Sequence, residues 1–414
     1  MSSVHQGTYK ILFGFYDIFP ARKGSSVRTR GLFSRLTDAN VTIFAKLKSG
    51  QLSHEAGPPF EIYRARCDAP PPFRQSSEFV LKFKEFLHQK DLKGDLDYDI
   101  WHSRSPFDGY LLAQEAEKRG IPMIFEVNGL PSIEWPYHYP KILKKNQKAL
   151  RRLSAMELLT ALTATHIIVP SKVTREYLIS HHVSREKITV IPNGVSRNFK
   201  PERCPPESRA QLLELPHGWE ERILVGYIGA LQSWQGVHSL IESLASLRSL
   251  KGKESFGLVL MGKSRSSWRH SLRKIGKKHG VRELVHFCHP RPQSLMPKIL
   301  NSFDIAVAPL ADTPRNTLQG CNPIKLYEYA ASGLPIITSD LPVTREILPE
   351  NSLCRFVPPD SPLELGESLK DLIQNPIERE EQGRRARNYF LVENNDWRNR
   401  AMLLQRLYSS LLAH

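Results

Sequence analysis

The stretch Asn322-Pro323-Ile324-Lys325-Leu326-Tyr327-Glu328-Tyr329-Ala330-Ala331-Ser332-Gly333-Leu334-Pro335 concentrates residue types that can do chemistry. Pro323 suits the first turn of a helix, where its missing N–H costs nothing. The unpaired amides of that turn, with Lys325, favour a phosphate group. Glu328 stands three residues further on, on the same helical face, and its carboxylate can accept two hydrogen bonds from a diol such as ribose. Gly333 ends the helix and Pro335 follows it. A capped helix with a surface Lys–Glu pair accounts for the same residues, so spacing alone leaves both readings open.

Other candidates are thinner. Gly24, Ser25 and Ser26 follow a first apolar run, where a glycine permits close backbone approach and a serine caps a helix. Arg28 falls one turn into that helix, facing a cleft or solvent. His102 and Arg104 end one short apolar run, and Glu126 and Asn128 end another. Glu134, Trp135, His138 and Tyr139 follow in an aromatic-rich loop, suited to stacking on a sugar or to ordinary packing. Asp95, Asp97 and Asp99 have Asp-x-Asp spacing, but in a polar loop that reads as solvated. His286, Cys288 and His289 are close, yet strand alternation turns His289 away from the other two. His181 and His182 suit a helix end.

The elements that would position these residues alternate along the chain. Strands are expected at Tyr9–Phe15, Val41–Ala45, Glu61–Arg66, Asp99–Ser103, Ile121–Val127, His166–Val169 and Ile188–Ile191. Helices fall between them: Ser25–Leu36, Phe79–Gln89, Pro106–Lys118, a long one over Lys141–Ala164, and Ser171–Ser180. Arg203–Glu221 reads as a linker. The alternation then restarts, with strands at Ile223–Ile228, Phe256–Met261, Leu284–Cys288, Ile305–Ala308 and Pro335–Thr338. Helices are expected at Val237–Leu250, Ser267–His279, Gln293–Asn301, Pro323–Ala331 and Ser361–Gln374, and across most of Ile377–Leu412. Repeated strand–helix–strand units imply parallel sheets covered by helices on both faces, with ligands beyond the carboxyl ends of the strands.

Composition narrows the class. The 414 residues are 40% apolar and 24% charged, which excludes a disordered or fibrous chain. No run reaches the roughly 18 apolar residues of a membrane span, and the first seven residues lack the apolar core of a secretory signal, so a soluble, cytosolic protein is expected. Five dispersed cysteines describe neither a disulfide framework nor a zinc site. A net charge of +16 favours anionic partners.

Taken in order, the segments resemble glycosyltransferase family 4, retaining enzymes of GT-B fold. Asn322–Tyr329 is similar to the family's Ser-Pro-x-Lys-x-x-Glu-Tyr donor motif. Ile191-Pro192-Asn193-Gly194-Val195 resembles its PNGV turn, Gly229–Val237 its glycine-rich loop in the WxGV variant, Leu260-Met261-Gly262 its LVG strand end, Phe303–Pro309 its ADIAVAP segment, and Glu126–Ser132 an N-domain loop. Three positions depart from the pattern. Gly320 stands where the first glutamate of Glu-x7-Glu is usual, and Ala230 and Gln235 stand where an arginine and a lysine usually face the donor diphosphate.

The resemblance implies an α/β chain of two doubly wound Rossmann-like domains facing across a cleft. Residues 1–200 would form the acceptor side and 201–385 the nucleotide-sugar side, with a C-terminal helix, 386–414, crossing back to the N-domain. It implies transfer of a hexosyl group from a nucleotide diphosphate sugar to a glycan or lipid-linked acceptor, with retention and without a metal or cofactor. His102, Glu126 and Arg28 then take the catalytic positions. Gly24, Gly229, Lys263, Arg265, Pro323, Ile324, Lys325 and Glu328 bind the donor, and Asn128, Glu134 and Trp135 the acceptor. The basic segment Lys141–Arg152 would touch an anionic membrane from the cytoplasmic side, or simply be solvated. A degenerate, inactive transferase and a nucleotide-sugar epimerase share the fold. A nucleic-acid-binding protein would explain the charge, but no recognition motif supports it and no nucleic-acid partner is expected.

Overall fold

The structure is a computed structural model that describes residues 8–202, 204–251 and 255–413. The first seven residues, Arg203 at the head of the expected linker, and His414 lie outside them. The chain divides into two units: one of Met1–Pro192, Leu318–Cys321 and Trp397–His414, the other of Asn193–Thr317 and Asn322–Asp396.

The first unit is built on an eight-stranded sheet. Its strands are β1 (Tyr9–Ile18), β2 (Ala39–Lys46), β3 (His54–Gly57), β4 (Phe60–Ala65), β5 (Ile100–Ser103), β6 (Met123–Glu126), β7 (His166–Val169) and β8 (Ile188–Val190), in the order β3-β4-β2-β1-β5-β6-β7-β8. All pairs are parallel except β3–β4. The central strands are apolar on both faces because helices cover both, and Leu12, Trp101 and Phe125 are buried in the core. β3 was not expected: all four of its residues are exposed, so it carries no apolar pattern.

The second unit has a six-stranded, wholly parallel sheet. Its strands are β9 (Ile223–Ile228), β10 (Phe256–Met261), β11 (Val285–Cys288), β12 (Ile305–Ala308), β13 (Ile336–Ser339) and β14 (Arg355–Val357), in the order β11-β10-β9-β12-β13-β14. Three-residue β14 falls below what an apolar run can signal.

Several expected boundaries are corrected. The linker contains a helix, Pro206–Leu213, and Leu213 and Trp219 join the core of the second unit, so this segment is part of that unit. The second unit begins at Asn193 rather than 201. The long helix is two, Pro140–Lys145 and Gln147–Thr163. They part at Asn146, whose φ of −126° is not helical and whose side-chain amide bonds the Ile142 carbonyl at 2.7 Å. The aromatic-rich loop is a short helix, Pro131–His138. The helix Pro376–Val392 stays in the second unit, packed on Ile324–Ala331, so the returning C-terminal helix begins at Trp397 instead of 386. Its Trp397, Ala401, Leu404 and Tyr408 are buried, and it packs on the first helix, Gly24–Phe33. Among the described residues no helix is long and apolar enough to cross a membrane.

Candidate active site

In the second unit the chemistry gathers around Lys325 and Glu328. Their helix, Ile324–Ala331, starts one residue later than expected, with Pro323 outside it as the N-cap residue. Asn193 anchors the entry to this helix. Its N–H donates to Asn322 Oδ1 at 2.8 Å, and its Nδ2 donates to the Asn322 carbonyl at 2.5 Å. Lys325 Nζ donates to Gln235 Oε1 at 2.6 Å and sits 4.0 Å from the centre of the Tyr227 ring. The buried Tyr227 hydroxyl lies 2.9 Å from the Ala230 carbonyl and 3.0 Å from Gln235 Oε1. Gln235 therefore supplies an acceptor that holds the lysine, where the resembled family carries a second cation.

Gly229 directly follows β9, beside this lysine; a Cβ there would fall 2.9 Å from Lys325 Nζ. A Cβ on Gly262 would stand 1.6 Å from the Gly229 carbonyl oxygen, so the two strand ends meet backbone to backbone. Gly229 N–H donates to the Met261 carbonyl at 3.0 Å and Leu231 N–H to the Lys263 carbonyl at 2.8 Å. Lys263 is fixed through its backbone while its side chain is exposed. Arg265 is exposed at the start of the helix Ser266–Lys278.

Glu328 is buried, and its Oε1 accepts from Gln293 Nε2 at 3.2 Å. Burial pushes its pKa up to about 7, against the opposing pull of that hydrogen bond and of the Lys325 charge. One residue on, the Tyr329 hydroxyl accepts from the Ile228 N–H at 3.0 Å and ties the helix to the end of β9. Neither Gln293 nor Tyr329 was singled out from sequence. Tyr329 is the closing residue of the motif itself, whereas nothing local marks Gln293.

In the first unit, Arg28, His102 and Glu126 do come together, but inside the protein. Arg28 is 1% exposed, His102 0% and Glu126 1%, which corrects the expectation that Arg28 points at a cleft or at solvent. Arg28 Nε donates to Glu126 Oε1 at 2.7 Å, and Arg104 Nε lies 3.5 Å from the same oxygen. Asn128 Nδ2 also donates to it. His102 Nε2 lies 3.1 Å from Glu126 Oε2, and its Nδ1 lies 2.7 Å from the Tyr408 hydroxyl on the returning helix. Burial would raise the Glu126 pKa, but the two guanidiniums and the imidazole outweigh it and hold the carboxyl well below its ordinary range. Burial lowers that of His102, against the pull of Glu126. Arg104 Nη1 also donates to the Ser25 carbonyl at 2.9 Å, bracing the Gly24 loop. Gly24 is exposed and opens the helix, and its N-cap residue is Lys23. Neither serine caps it: Ser26 Oγ accepts from the Ala21 N–H instead, and Ser25 Oγ lies 3.4 Å from Asp17.

Of the acceptor candidates, Asn128 and Glu134 are half-buried and Trp135 is 9% exposed. The Trp135 ring stacks on Phe107 at 5.4 Å and meets Phe73 edge-on at 5.6 Å. It is a packing residue, not a wall for sugar. Ser132, at the head of the same short helix, donates its N–H to Glu157 Oε1 at 2.7 Å and its hydroxyl to Oε2. Burial pushes the Glu157 pKa up to about 7.

Gly320 has no room for the glutamate that the resembled family carries at this position. It lies in Leu318–Cys321, which packs within the first unit, and its φ is +79°. A Cβ there would fall 2.9 Å from Ser171 Oγ, Thr174 N and Thr174 Oγ1. Ser171 caps the helix Lys172–Ser180, accepting from Thr174 N–H at 3.1 Å, so no side chain fits without disturbing that cap. Next to it, buried Gln319 accepts from the Leu130 N–H at 3.0 Å. The Asp-x-Asp residues are held by Lys10: its Nζ pairs with Asp97 at 2.8 Å and its N–H donates to Asp99. His286 Nε2 lies 3.0 Å from the Leu213 carbonyl. Among the described residues no group of three or more His, Cys, Asp or Glu side chains could hold a metal ion.

Two family models match the chain consecutively: Glycosyltransferase Family 4 over residues 22–199 and Glycosyl transferases group 1 over residues 215–389. The chain belongs to glycosyltransferase family 4. It is a glycosyltransferase of GT-B fold, with one Rossmann-like unit under each model. A D-inositol 3-phosphate glycosyltransferase of Corynebacterium aurimucosum is 19% identical over 324 residues, 77% of this chain and 73% of that protein. Sucrose-phosphate synthase from Thermosynechococcus elongatus has a similar fold, with a TM-score of 0.78 at 18% identity, covering 98% of this chain and 99% of that one. HepE from Anabaena, solved with UDP and glucose, has a TM-score of 0.74 at 16% identity, covering 97% and 100%.

Proposed function

We propose that this glycosyltransferase moves a hexosyl unit from a nucleotide diphosphate sugar to a glycan or lipid-linked hydroxyl, with retained anomeric configuration and without a metal. The observation that carries the reading is in the second unit: Lys325 and Glu328 stand on one helix at the carboxyl edge of a parallel sheet, Lys325 held by Gln235 and Tyr227 and Glu328 by Gln293. Glu328 would take the ribose diol, whose hydroxyls favour the ionised carboxylate. Lys325 and the first-turn amides of its helix would face the diphosphate, with Lys263 and Arg265 as the further cations. The solved relative HepE, described with UDP and glucose, supports a donor of this kind.

The protein's share of the chemistry is then positioning and stabilisation of the leaving phosphate, whose own oxygen takes the acceptor proton. The Arg28–Glu126–His102 cluster, almost wholly buried, would support the site from behind. It holds in place the half-buried Asn128, on the acceptor side, and the Gly24 loop, on the donor side. The six basic side chains of Lys141–Arg152 are all exposed, beside exposed Ile142, Leu159 and Leu162, as a peripheral contact with an anionic membrane on the cytoplasmic side requires. An inactive, donor-binding descendant is the second reading, favoured by Gln235 and Gly320.

A melting screen against UDP, GDP, ADP, TDP and their common sugar conjugates tests the proposal, since a ligand of the native state raises the midpoint by mass action. One base series should raise it in the wild type, and Glu328→Ala should abolish the rise without unfolding the protein. No response from a folded wild type, or an equal response in Glu328→Ala, overturns the assignment. Sugar transfer absent despite clear binding selects the inactive reading.

A further inference from the structure

The buried cluster of the first unit determines its own proton positions. Glu126 faces two guanidiniums, Arg28 on the first helix and Arg104 after β5, and is ionised. An ionised carboxylate only accepts hydrogen bonds. His102 Nε2, 3.1 Å from Oε2, must therefore carry a hydrogen. A second proton on this ring would add a third cation around one buried carboxylate, so the imidazole is neutral and its Nδ1 is a bare acceptor. The Tyr408 hydroxyl, 2.7 Å away, must then donate to Nδ1. The same logic settles Asn128. The edge of its carboxamide that meets Glu126 Oε1 is the NH2 edge, so its Oδ1 is turned away from the carboxylate. The donors converge on Glu126: Tyr408 O–H to His102 and His102 N–H to Oε2 from one side, Asn128 N–H to Oε1 from the other.

We infer that Tyr408, 306 residues from His102 in sequence, is a positioning residue of the acceptor side: through His102 and Glu126 it holds Asn128 in the one orientation that offers an amide carbonyl outward. The helix Trp397–Leu412 thus belongs to the site as well as to the fold. Without the hydroxyl, His102 Nδ1 is a buried acceptor with no donor, the ring is free to tilt, and Glu126 loses the fixed hydrogen bond on Oε2 that sets its plane. Asn128, on the partly exposed end of the chain, then samples more than one rotamer. An outward carbonyl suits a ligand hydroxyl, which can donate to it.

The use of Asn128 on an acceptor hydroxyl rests on the transferase reading; the proton arrangement does not. The test is the full chain labelled with 15N at histidine and asparagine side chains, with His102 assigned by its loss in His102→Gln and Asn128 by its loss in Asn128→Ala. In the wild type at neutral pH, His102 should carry its proton on Nε2 alone, and the Asn128 amide should give one sharp pair of signals. Tyr408→Phe should shift the His102 Nδ1 signal and broaden or double the Asn128 pair, a change that loss of packing alone would not send to Asn128. A wild-type His102 protonated on Nδ1, or an Asn128 pair unchanged in folded Tyr408→Phe, overturns the inference. Should Tyr408→Phe fail to fold, the wild-type tautomer still decides. These readouts need no donor, so an enzyme that shows them yet responds to no nucleotide sugar refutes the transferase reading and leaves the relay standing.

Discussion

Replacing Gly320 by alanine separates two reasons for a glycine. The residue has a φ of +79°, and its Cβ would lie 2.9 Å from Ser171 Oγ, Thr174 N and Thr174 Oγ1. The left-handed conformation alone costs a non-glycine residue about 1–2 kcal/mol. Crowding a packed site costs about 1–3 kcal/mol more, and here the nearest atoms include a backbone amide that cannot rotate away. The sum is about 2–5 kcal/mol. Gly50, in the same unit, is the control: its φ is +81° and a Cβ there would meet nothing within 4 Å. Gly50→Ala should lose only the conformational part. For a unit of about 200 residues, 1 kcal/mol moves the melting midpoint by about 2–4 °C. Gly320→Ala should thus melt several degrees below Gly50→Ala, with about 5 °C a central value. The assay is thermal unfolding of the three proteins side by side, followed by far-ultraviolet circular dichroism. Equal midpoints for the two variants would refute the packing argument. So would a Gly320→Glu chain as stable as wild type, because it would show that the glutamate of related enzymes fits here after all.

Glu157 makes stability depend on pH. Its folded pKa, about 7, lies above the ordinary value of 4.5, so the native state holds the proton longer and its contribution is lost as pH rises through that window. Glu157→Gln does not titrate, so its midpoint relative to wild type should climb from pH 5 to pH 8. A pH-independent difference would show that the carboxyl is not shifted. Liposome flotation should show binding to acidic vesicles that falls with salt, and Lys144→Glu with Lys148→Glu should weaken it several-fold; equal binding to neutral vesicles would remove the electrostatic argument. Sugar transfer should survive EDTA, and a loss rescued by Mn²⁺ would return the Asp-x-Asp residues to the site.

How much was legible depended on the range of the interaction. Runs such as Phe256–Met261 and Ile305–Ala308 are apolar throughout because parallel strands are covered on both faces, and that local pattern announces them. The exposed strand His54–Gly57 and the three-residue Arg355–Val357 have no such pattern and were missed. The Lys325–Glu328 helix was readable because its chemistry repeats on one helical face. Its partners were less so: Gln235 was marked only as the place of a usual lysine and Gln293 by nothing, because both arrive from other segments.

By itself, the sequence determined the alternation of strands and helices, the two sheets, and the motifs that make this chain a family 4 glycosyltransferase. Spacing along the chain carries those, since helix and strand periods are local properties. Only the tertiary structure decided which polar residues meet water and which meet each other. It buried Arg28, His102 and Glu126 together, turned Trp135 into the core, and brought Tyr408 to His102. It also made Gly320 a packing requirement where the sequence alone showed an absent glutamate. The physical reason is that burial and hydrogen-bond partnership are set by contacts between segments up to 306 residues apart, and no local pattern encodes those.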